Sequence, residues 1–378
     1  METVYDVVIA GLGAMGSAAA YHLSRRGMSV LGLDRYHPPH AFGSSHGLSR
    51  IIREAYYESP LYVPLVQRAY ENWRTLEEEY QMPLLHQTGG LMIGYPKGFL
   101  VSGSRRSAEI HNLPFEMLTA KQIQEQYPVL HPKEDQVAVK EVRAGILRPE
   151  ECIHAFLQQA EKAGAHLRFE EAVESWEAWE KEVCVRTNQG RYRARKAILC
   201  TGAWLRQLQN EVDLPLKVER QVSFWFEPKE EAEGIAMDRL PVIAWEFKIG
   251  LLFYLIPNLG EGIKVAIHHG GALADPDRLD REVKEEEIEQ VRTLLKRYLP
   301  SANGRLLYHQ ACMYTNSPDH HFILDTYPGE SKVYLLSACS GHGFKFASVL
   351  GEVMADLVTR GKTSFDISLF RLDRLMEK

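Results

Sequence analysis

Three groups of residues in this 378-residue chain have types and spacings suited to chemistry. The first is Gly11-Leu12-Gly13-Ala14-Met15-Gly16, followed downstream by Asp34. Glycines at this spacing suit a diphosphate. Gly11 permits a tight turn, Gly13 lets backbone N–H groups approach the phosphates, and Gly16 lets a helix pack close to a strand. Asp34 can accept both hydroxyls of a ribose, and an acid there disfavours a 2′-phosphate although Arg35 is adjacent. The second group is cationic: Arg50 and Arg53, Lys264 and Lys345. Two guanidinium groups three residues apart share one face if the segment is helical, and they suit a carboxylate or phosphate. Lys264 sits in an apolar strand-like run, Gly262-Ile263-Lys264-Val265-Ala266-Ile267, where alternation turns it inward or, as the default for lysine, to solvent. Lys345 ends Ser340-Gly341-His342-Gly343-Phe344-Lys345, a glycine-rich helix entry whose free N–H groups suit an oxyanion or an anionic ring. The third group is Cys312, in Ala311-Cys312-Met313-Tyr314-Thr315. With apolar neighbours and no cation beside it in sequence, it reads as an inert buried thiol. His268, His269, His320, His321 and His342 lack metal-ligand spacing, so no metal is expected.

These residues need elements to position them. Residues 5–10 (YDVVIA) are almost continuously apolar, as in a strand buried on both faces of a parallel sheet. Residues 17–26 read as a helix stopped by Gly27, and 29–33 as a second strand that delivers Asp34. Strand, glycine turn, helix, strand and acid is the order that a dinucleotide site requires, but it does not choose between NAD and FAD. The chain does not then continue as regular βα repeats. Helices are expected around 62–80, 150–164, 281–299 and 346–359. An apolar strand at 197–200 runs into the tight Thr201-Gly202-Ala203-Trp204. Residues 217–269 alternate in the manner of antiparallel strands, at 221–226, 242–247, 251–256 and 262–268. The expected fold is α/β with α+β character. A Rossmann-like dinucleotide domain (1–80, 145–215, 320–378) is interleaved with a mixed, largely antiparallel substrate domain (81–144, 216–319).

Composition narrows the function classes. A net charge of −6 and a pI near 6.2 argue against a nucleic-acid or anionic-membrane partner. No run of 18 apolar residues is present, so no membrane span is expected, and the N-terminus shows no charged-then-apolar leader. Five cysteines, an odd number without metal-type spacing, read as reduced thiols in a cytoplasm.

Taken with the glycine turn, several segments carry a resemblance over nearly the whole chain. They are Pro38-Pro39-His40, Gly43-Ser44-Ser45-His46-Gly47, Arg50-Ile51-Ile52-Arg53, Thr201-Gly202-Ala203-Trp204, Ala311-Cys312-Met313-Tyr314 and Ser340-Gly341-His342-Gly343-Phe344-Lys345-Phe346. The chain resembles the monomeric sarcosine oxidase and N-methyltryptophan oxidase family, amine-oxidising members of the D-amino-acid-oxidase-like flavoproteins. The resemblance implies FAD, held by a thioether from Cys312 to the flavin 8α carbon. It implies that Arg53 and Lys345 grip a substrate carboxylate and that Arg50 sits over the flavin ring. Lys264 would lie near flavin N5, where a cation helps O2 accept an electron, and Tyr254, His268 and Tyr314 would line the substrate pocket. Further cofactor contacts are implied at Gly11, Gly13, Gly16, Asp34, Ser44, His46, Ser49, Gly202, Gly341, Gly343 and Phe344, with Val173 meeting the adenine through its backbone.

The implied reaction removes a hydride equivalent from the carbon beside a neutral secondary amine. Hydrolysis of the imine then releases formaldehyde from an N-methyl substrate, and O2 becomes H2O2. Sarcosine is the first expectation, with N-methyltryptophan, pipecolate or another cyclic amino acid as alternatives. The expected partners are a small carboxylated amine and O2, acting on a monomer. Two departures from the family pattern lie near the pocket and leave the substrate side chain open. Ser44-Ser45-His46-Gly47-Leu48-Ser49-Arg50 replaces Ser-His-His-Gly-Asp-Thr-Arg, and Glu54-Ala55-Tyr56-Tyr57-Glu58-Ser59-Pro60 replaces a basic residue and a glycine-rich turn. An NAD-dependent dehydrogenase and a flavin-binding protein without activity are the competing classes.

Overall fold

The computed structural model describes residues 3–229, 233–235 and 239–376. Strand Val4–Ala10 lies inside an eight-stranded sheet, between Arg191–Leu199 and Val30–Leu33, and is parallel to both. Partners on both edges and packing on both faces explain why Val7, Val8, Ile9 and Ala10 are fully buried. His166–Arg168 extends the parallel part on one side and Glu330–Ser337 on the other. The antiparallel pair Val173–Ala178 and Val183–Thr187, together with Ile323–Tyr327, completes the sheet. Helix Ala14–Ser24 follows the glycine turn and packs beside the last helix, Ala347–Arg360, in one apolar core.

A second eight-stranded sheet is antiparallel except where Gly90–Gly94 meets Val242–Lys248. Its core strands are Lys217–Phe226, Ile263–His268, Leu251–Ile256 and Val242–Lys248, with Leu306–Asn316 at the edge beside Lys217–Phe226. Helix Glu285–Tyr298 covers this sheet. Val291, Leu294, Leu295 and Tyr298 form its buried stripe, while Glu285, Glu286 and Glu287 begin it and Lys296 and Arg297 end it, as the helix dipole favours. The expected start at 281 is four residues early, because Glu285 opens the first helical turn after Lys284.

One expectation is corrected. Arg50–Ile52 is an extended strand in a small three-stranded sheet with Gly145–Leu147 and Leu85–Gln87, so Arg50 and Arg53 do not share a helix face. The β-branched pair Ile51-Ile52 favours the pleated backbone, and the ladder with Gly145–Leu147 fixes it. Helices Phe99–Ile110 and Ala120–Gln126 occupy a stretch that the sequence reading leaves unassigned; the second is closed by a capping box from Thr119 and Gln122. Among the described residues no helix is long and apolar enough to cross a membrane.

Candidate active site

The glycine turn has the construction its spacing requires. Gly11 takes φ +92°, and a Cβ there would lie 2.7 Å from Cys200 O. A Cβ on Gly16 would overlap Gly11 O, so Gly16 serves the close packing of helix on strand. Gly13 differs: the nearest atom to a Cβ would be Ser45 Oγ at 3.7 Å, which leaves its face open. No acidic residue neutralises the first turn of helix Ala14–Ser24, so its positive end faces that opening. Asp34, at the end of Val30–Leu33, is buried and oriented. Its Oδ2 accepts from Leu12 N at 2.6 Å and its Oδ1 from Tyr36 N at 2.8 Å, with His40 Nε2 at 3.7 Å.

This turn opens on a cavity of about 410 Å³ walled by residues of both large sheets and the small one. Gly11, Gly13, Asp34, Val173 and Gly202 belong to its first-sheet wall, and Ser44, Ser49, Arg50 and Arg53 to the segment between. Tyr254, His268, Cys312, Tyr314, Gly341, Gly343, Phe344 and Lys345 complete the lining. Of the residues expected at the site, Gly16, His46 and Lys264 stand behind the wall instead of on it.

Lys264 does not face solvent. It is 2% exposed, and its Nζ donates to Gly47 O at 2.8 Å and Ser49 O at 3.0 Å, 5.0 Å from the Trp225 ring centre. Burial, then Arg50, pushes its pKa well below the usual lysine value. Arg50 holds the same loop through Ser49 O and Ser44 O, both at 2.8 Å. Glu150 Oε1 accepts from Gly47 N at 2.7 Å and Leu48 N at 3.1 Å. The loop that replaces the family pattern is therefore clamped from both sides. Burial raises the Cys312 pKa, and Arg50 and Lys264 oppose that rise. The cations absent beside Cys312 in sequence are supplied by other strands. His46 is buried without a ring hydrogen bond of good geometry, with Gln310 nearby. Burial, then Arg50, lowers its pKa to about 4, so the ring is neutral at pH 7.

A second cluster surrounds Arg53, which is 5% exposed. Its terminal nitrogen donates to both Glu58 oxygens, at 2.8 and 2.6 Å, and the guanidinium lies 4.1 and 4.2 Å from the Tyr56 and Tyr57 ring centres. Burial would raise the Glu58 pKa, but Arg53, His342 and Lys345 bring it below the usual value. Lys345 Nζ donates to His342 O at 2.8 Å and reaches Tyr56 OH at 3.4 Å. Its pKa falls to about 7 through burial and then Arg53, with Glu58 opposing. Burial drives His342 down to about 3, so the ring is neutral. Its Nε2 lies 3.0 Å from His320 O and must donate there, which leaves Nδ1 to accept from Tyr56 OH at 2.6 Å. His268 Nδ1 and Tyr314 OH are 3.2 Å apart, packed on Gly341, where a Cβ would come within 2.6 Å of both rings. Burial keeps His268 well below its ordinary pKa.

Sequence reasoning placed the segment holding Tyr57 and Glu58 near the pocket without giving either a role, and it missed Cys339, Ala244 and Leu252 as pocket residues. An acid five residues after Arg53 is the signal for Glu58, but only the turn of residues 54–58 shows that the two meet.

The donor set fits FAD. An open glycine face, an unneutralised helix start and an acid at the second strand match a dinucleotide. At the wall, Thr201 Oγ1 is buried without a hydrogen-bond partner. Among the described residues no group of His, Cys, Asp and Glu is arranged to hold a metal. Residues 6–357 match the family described as DAO, FAD dependent oxidoreductase. The chain is 41% identical to the monomeric sarcosine oxidase of Streptomyces avermitilis, over 99% of each chain. It is 36% identical to the N-methyl-L-tryptophan oxidase of Escherichia coli, over 98% of this chain and 99% of that one. Among solved structures, the L-proline dehydrogenase of P. horikoshii superimposes with a TM-score of 0.86 at 25% identity, over 99% of this chain and 98% of that chain. Glycine turn, buried acid at the end of the second strand, mixed two-sheet fold and full-length similarity agree: this chain belongs to the DAO family of FAD dependent oxidoreductases, alongside the monomeric sarcosine oxidases and N-methyl-L-tryptophan oxidases.

Proposed function

We propose that this enzyme oxidises a small secondary amino acid, sarcosine first, to glycine and formaldehyde with H2O2 as the reduced product of O2. The observation that carries this reading is one cavity lined by the glycine turn, Cys312, Arg53 and Lys345. Relatives named for sarcosine and N-methyltryptophan oxidation support it. FAD, when bound, supplies the two-electron acceptor that takes a hydride equivalent from carbon and yields the electrons to O2. Gly11, Gly13, Gly202 and the start of helix Ala14–Ser24 would hold its pyrophosphate, Asp34 and Val173 its adenosine, and Ser44, Ser49, Gly341, Gly343 and Phe344 its remainder, with His46 and Gly16 behind them. Cys312 would attach it covalently, a role helped by Arg50 and Lys264, which favour the thiolate.

Lys345 and Arg53 orient the substrate carboxylate, and Tyr254, His268 and Tyr314 wall the amine. His268 and His342 are too weakly basic to take a proton at neutral pH, so the substrate nitrogen sheds its proton to water before reaction. Lys264 donates to Gly47 O and Ser49 O behind the loop 47–49, a placement proposed to aid electron transfer to O2. The Tyr57 ring, set against Arg53 and edge-on to Phe99 at 5.4 Å, lines the cavity beside the proposed carboxylate grip. The proposed division is an FAD domain of 1–80, 145–215 and 320–378 and a substrate domain of 81–144 and 216–319. The chain would act as a monomer in the cytoplasm. The relatives' name and five cysteines free of disulfides support this.

A panel of sarcosine, N-methyltryptophan, pipecolate, proline and glycine, read by peroxide release, tests the reaction. Sarcosine should turn over fastest, and absence of peroxide from every secondary amino acid overturns the reading. Acid precipitation tests the link: yellow colour should stay with the wild-type pellet and move to the supernatant in Cys312→Ser.

A further inference from the structure

Residues 269–284 leave the second sheet after strand Ile263–His268 and form a strap that reaches, from outside the cavity lining, side chains that stand on its wall. Its two feet are fixed. At one, Arg220 N donates to Ala272 O and Ala274 N to Val218 O, both at 2.9 Å. At the other, the Arg220 guanidinium holds Asp280 O at 2.7 Å, Glu282 O at 2.6 Å and the Glu287 carboxylate. The tip is attached differently: the bonds it makes to residues of the cavity wall come from the Asp277 side chain. Asp277, in the short turn Pro276–Arg278, accepts from Arg35 at 2.7 Å, Trp204 Nε1 at 2.8 Å and Gln207 Nε2 at 2.6 Å. Arg281, within the second foot between Asp280 and Glu282, adds a side-chain bond to Ala41 O at 3.0 Å and lies 5.6 Å from the Phe42 ring centre.

The partners of Asp277 give the strap its meaning. Arg35, Trp204 and Gln207 all line the cavity, as does Asp34 immediately before Arg35. Residues 35–42 and 204–207 are separate stretches of chain, and Asp277 ties them together from a third. Arg35 adds its own bridge, to Gln207 Oε1 at 3.3 Å and 5.4 Å from the Trp204 ring centre, so these side chains close the adenosine end of the cavity as one group. Asp277 and Arg35 are 44% and 34% exposed, so water competes for the bond and its strength is modest. A strap with backbone-bonded feet and a side-chain-bonded, water-accessible tip can open at the tip alone.

We propose that the 269–284 strap is the door through which FAD enters and leaves, with Asp277 as its latch and Arg281 as a second catch. The proposal rests on the FAD reading of the cavity. Entry requires Asp277 to release Arg35, Trp204 and Gln207, while the bonds of Arg220 and Val218 at the feet remain. A latch of this kind slows uptake and release together. It therefore governs how fast the apoprotein loads and changes final affinity little.

The test uses the full-length Cys312→Ser chain stripped of flavin, alone and with Asp277→Ala or Arg281→Met. FAD uptake and release are followed by flavin fluorescence. Asp277→Ala should raise both rate constants by about fivefold, the upper size for a partly exposed charged contact, and leave Kd within about twofold. Arg281→Met should act in the same direction, more weakly. If FAD binds and neither rate changes in either variant, the door is overturned while the cavity reading stands. If release alone quickens, Asp277 is a binding contact and the door is again overturned. If the parent chain takes up no FAD, the cavity reading fails and the proposal falls with it.

Discussion

Arg50, Arg53, Lys264 and Lys345 meet around one cavity although the sequence spreads them over nearly three hundred positions. Burial of a cation is costly, and each of them offsets that cost in its own way: backbone carbonyls for Arg50 and Lys264, a carboxylate for Arg53, a carbonyl for Lys345. Lys345 is the most finely balanced, with its pKa brought to about 7. Below that pH it is charged and able to hold a carboxylate; above it the charge and the affinity are lost. The Kd of acetate, which carries no amine and does not itself titrate here, should be flat below about pH 7 and rise toward tenfold per unit above it. Titrations followed by the flavin spectrum would check this. A Lys345→Arg chain should lose the break, and a break that persists there assigns it to another group. Lys264 lies behind the wall, off the cavity lining, so the proposed function assigns it to the O2 step and not to amine binding. Lys264→Met should slow reoxidation of the reduced enzyme by about a hundredfold and its reduction far less, in stopped-flow traces. Equal slowing of both half-reactions would remove that role.

At the level of elements, the segment after strand Arg50–Ile52 decides how the grip is presented. Glu141 accepts from Glu54 N at 2.9 Å and Ala55 N at 2.6 Å, which pins the turn and brings Glu58 back onto Arg53. An arginine already paired with an internal carboxylate must share or exchange that partner when a substrate carboxylate arrives. Two consequences can therefore be separated. Arg53→Met leaves Glu58 buried and unpaired, which should cost about 3–5 kcal/mol and lower the melting temperature. Adding Glu58→Leu should restore most of that stability, because the stranded charge is gone, yet KM for carboxylated amines should stay high. Thermal melts and peroxide kinetics on the two variants would check it, and recovery of KM in the double variant would show that Arg53 does not hold the substrate. The same segment shows the limit of helical spacing as a guide. Ile51-Ile52 extends the backbone, and Arg50 and Arg53 reach one cavity from a strand and its exit, not from one helix face.

On the scale of the whole molecule, the two large sheets bring the glycine turn of one and the Lys264 and Cys312 strands of the other to a shared cavity. All the polar machinery described above comes from a single chain, consistent with the monomer proposed. Sedimentation of the loaded enzyme should give one species near 43.1 kDa whose activity per chain is independent of dilution. A larger species that loses activity on dilution would count against the monomer.

Local sequence was sufficient for whatever depends on neighbours along the chain. The order of strand, Gly11-Leu12-Gly13-Ala14-Met15-Gly16, helix and Asp34 predicts the dinucleotide unit, because backbone geometry and glycine sterics act over a few residues. Alternation in 217–269 likewise predicts the antiparallel strands, since a pleated backbone exposes a period of two. The environment of a side chain is set by residues far away in sequence, and there the sequence was silent. Lys264 reads as solvent-facing until the Gly47 and Ser49 carbonyls meet it, and Cys312 reads as remote from any cation until Arg50 and Lys264 approach and oppose the rise that burial imposes on its pKa. Glu58, in a segment expected near the pocket, has no partner in view until the turn returns it to Arg53. Desolvation and Coulomb interaction depend on distance through space, so the charge state of the site was decided only when the sheets came together.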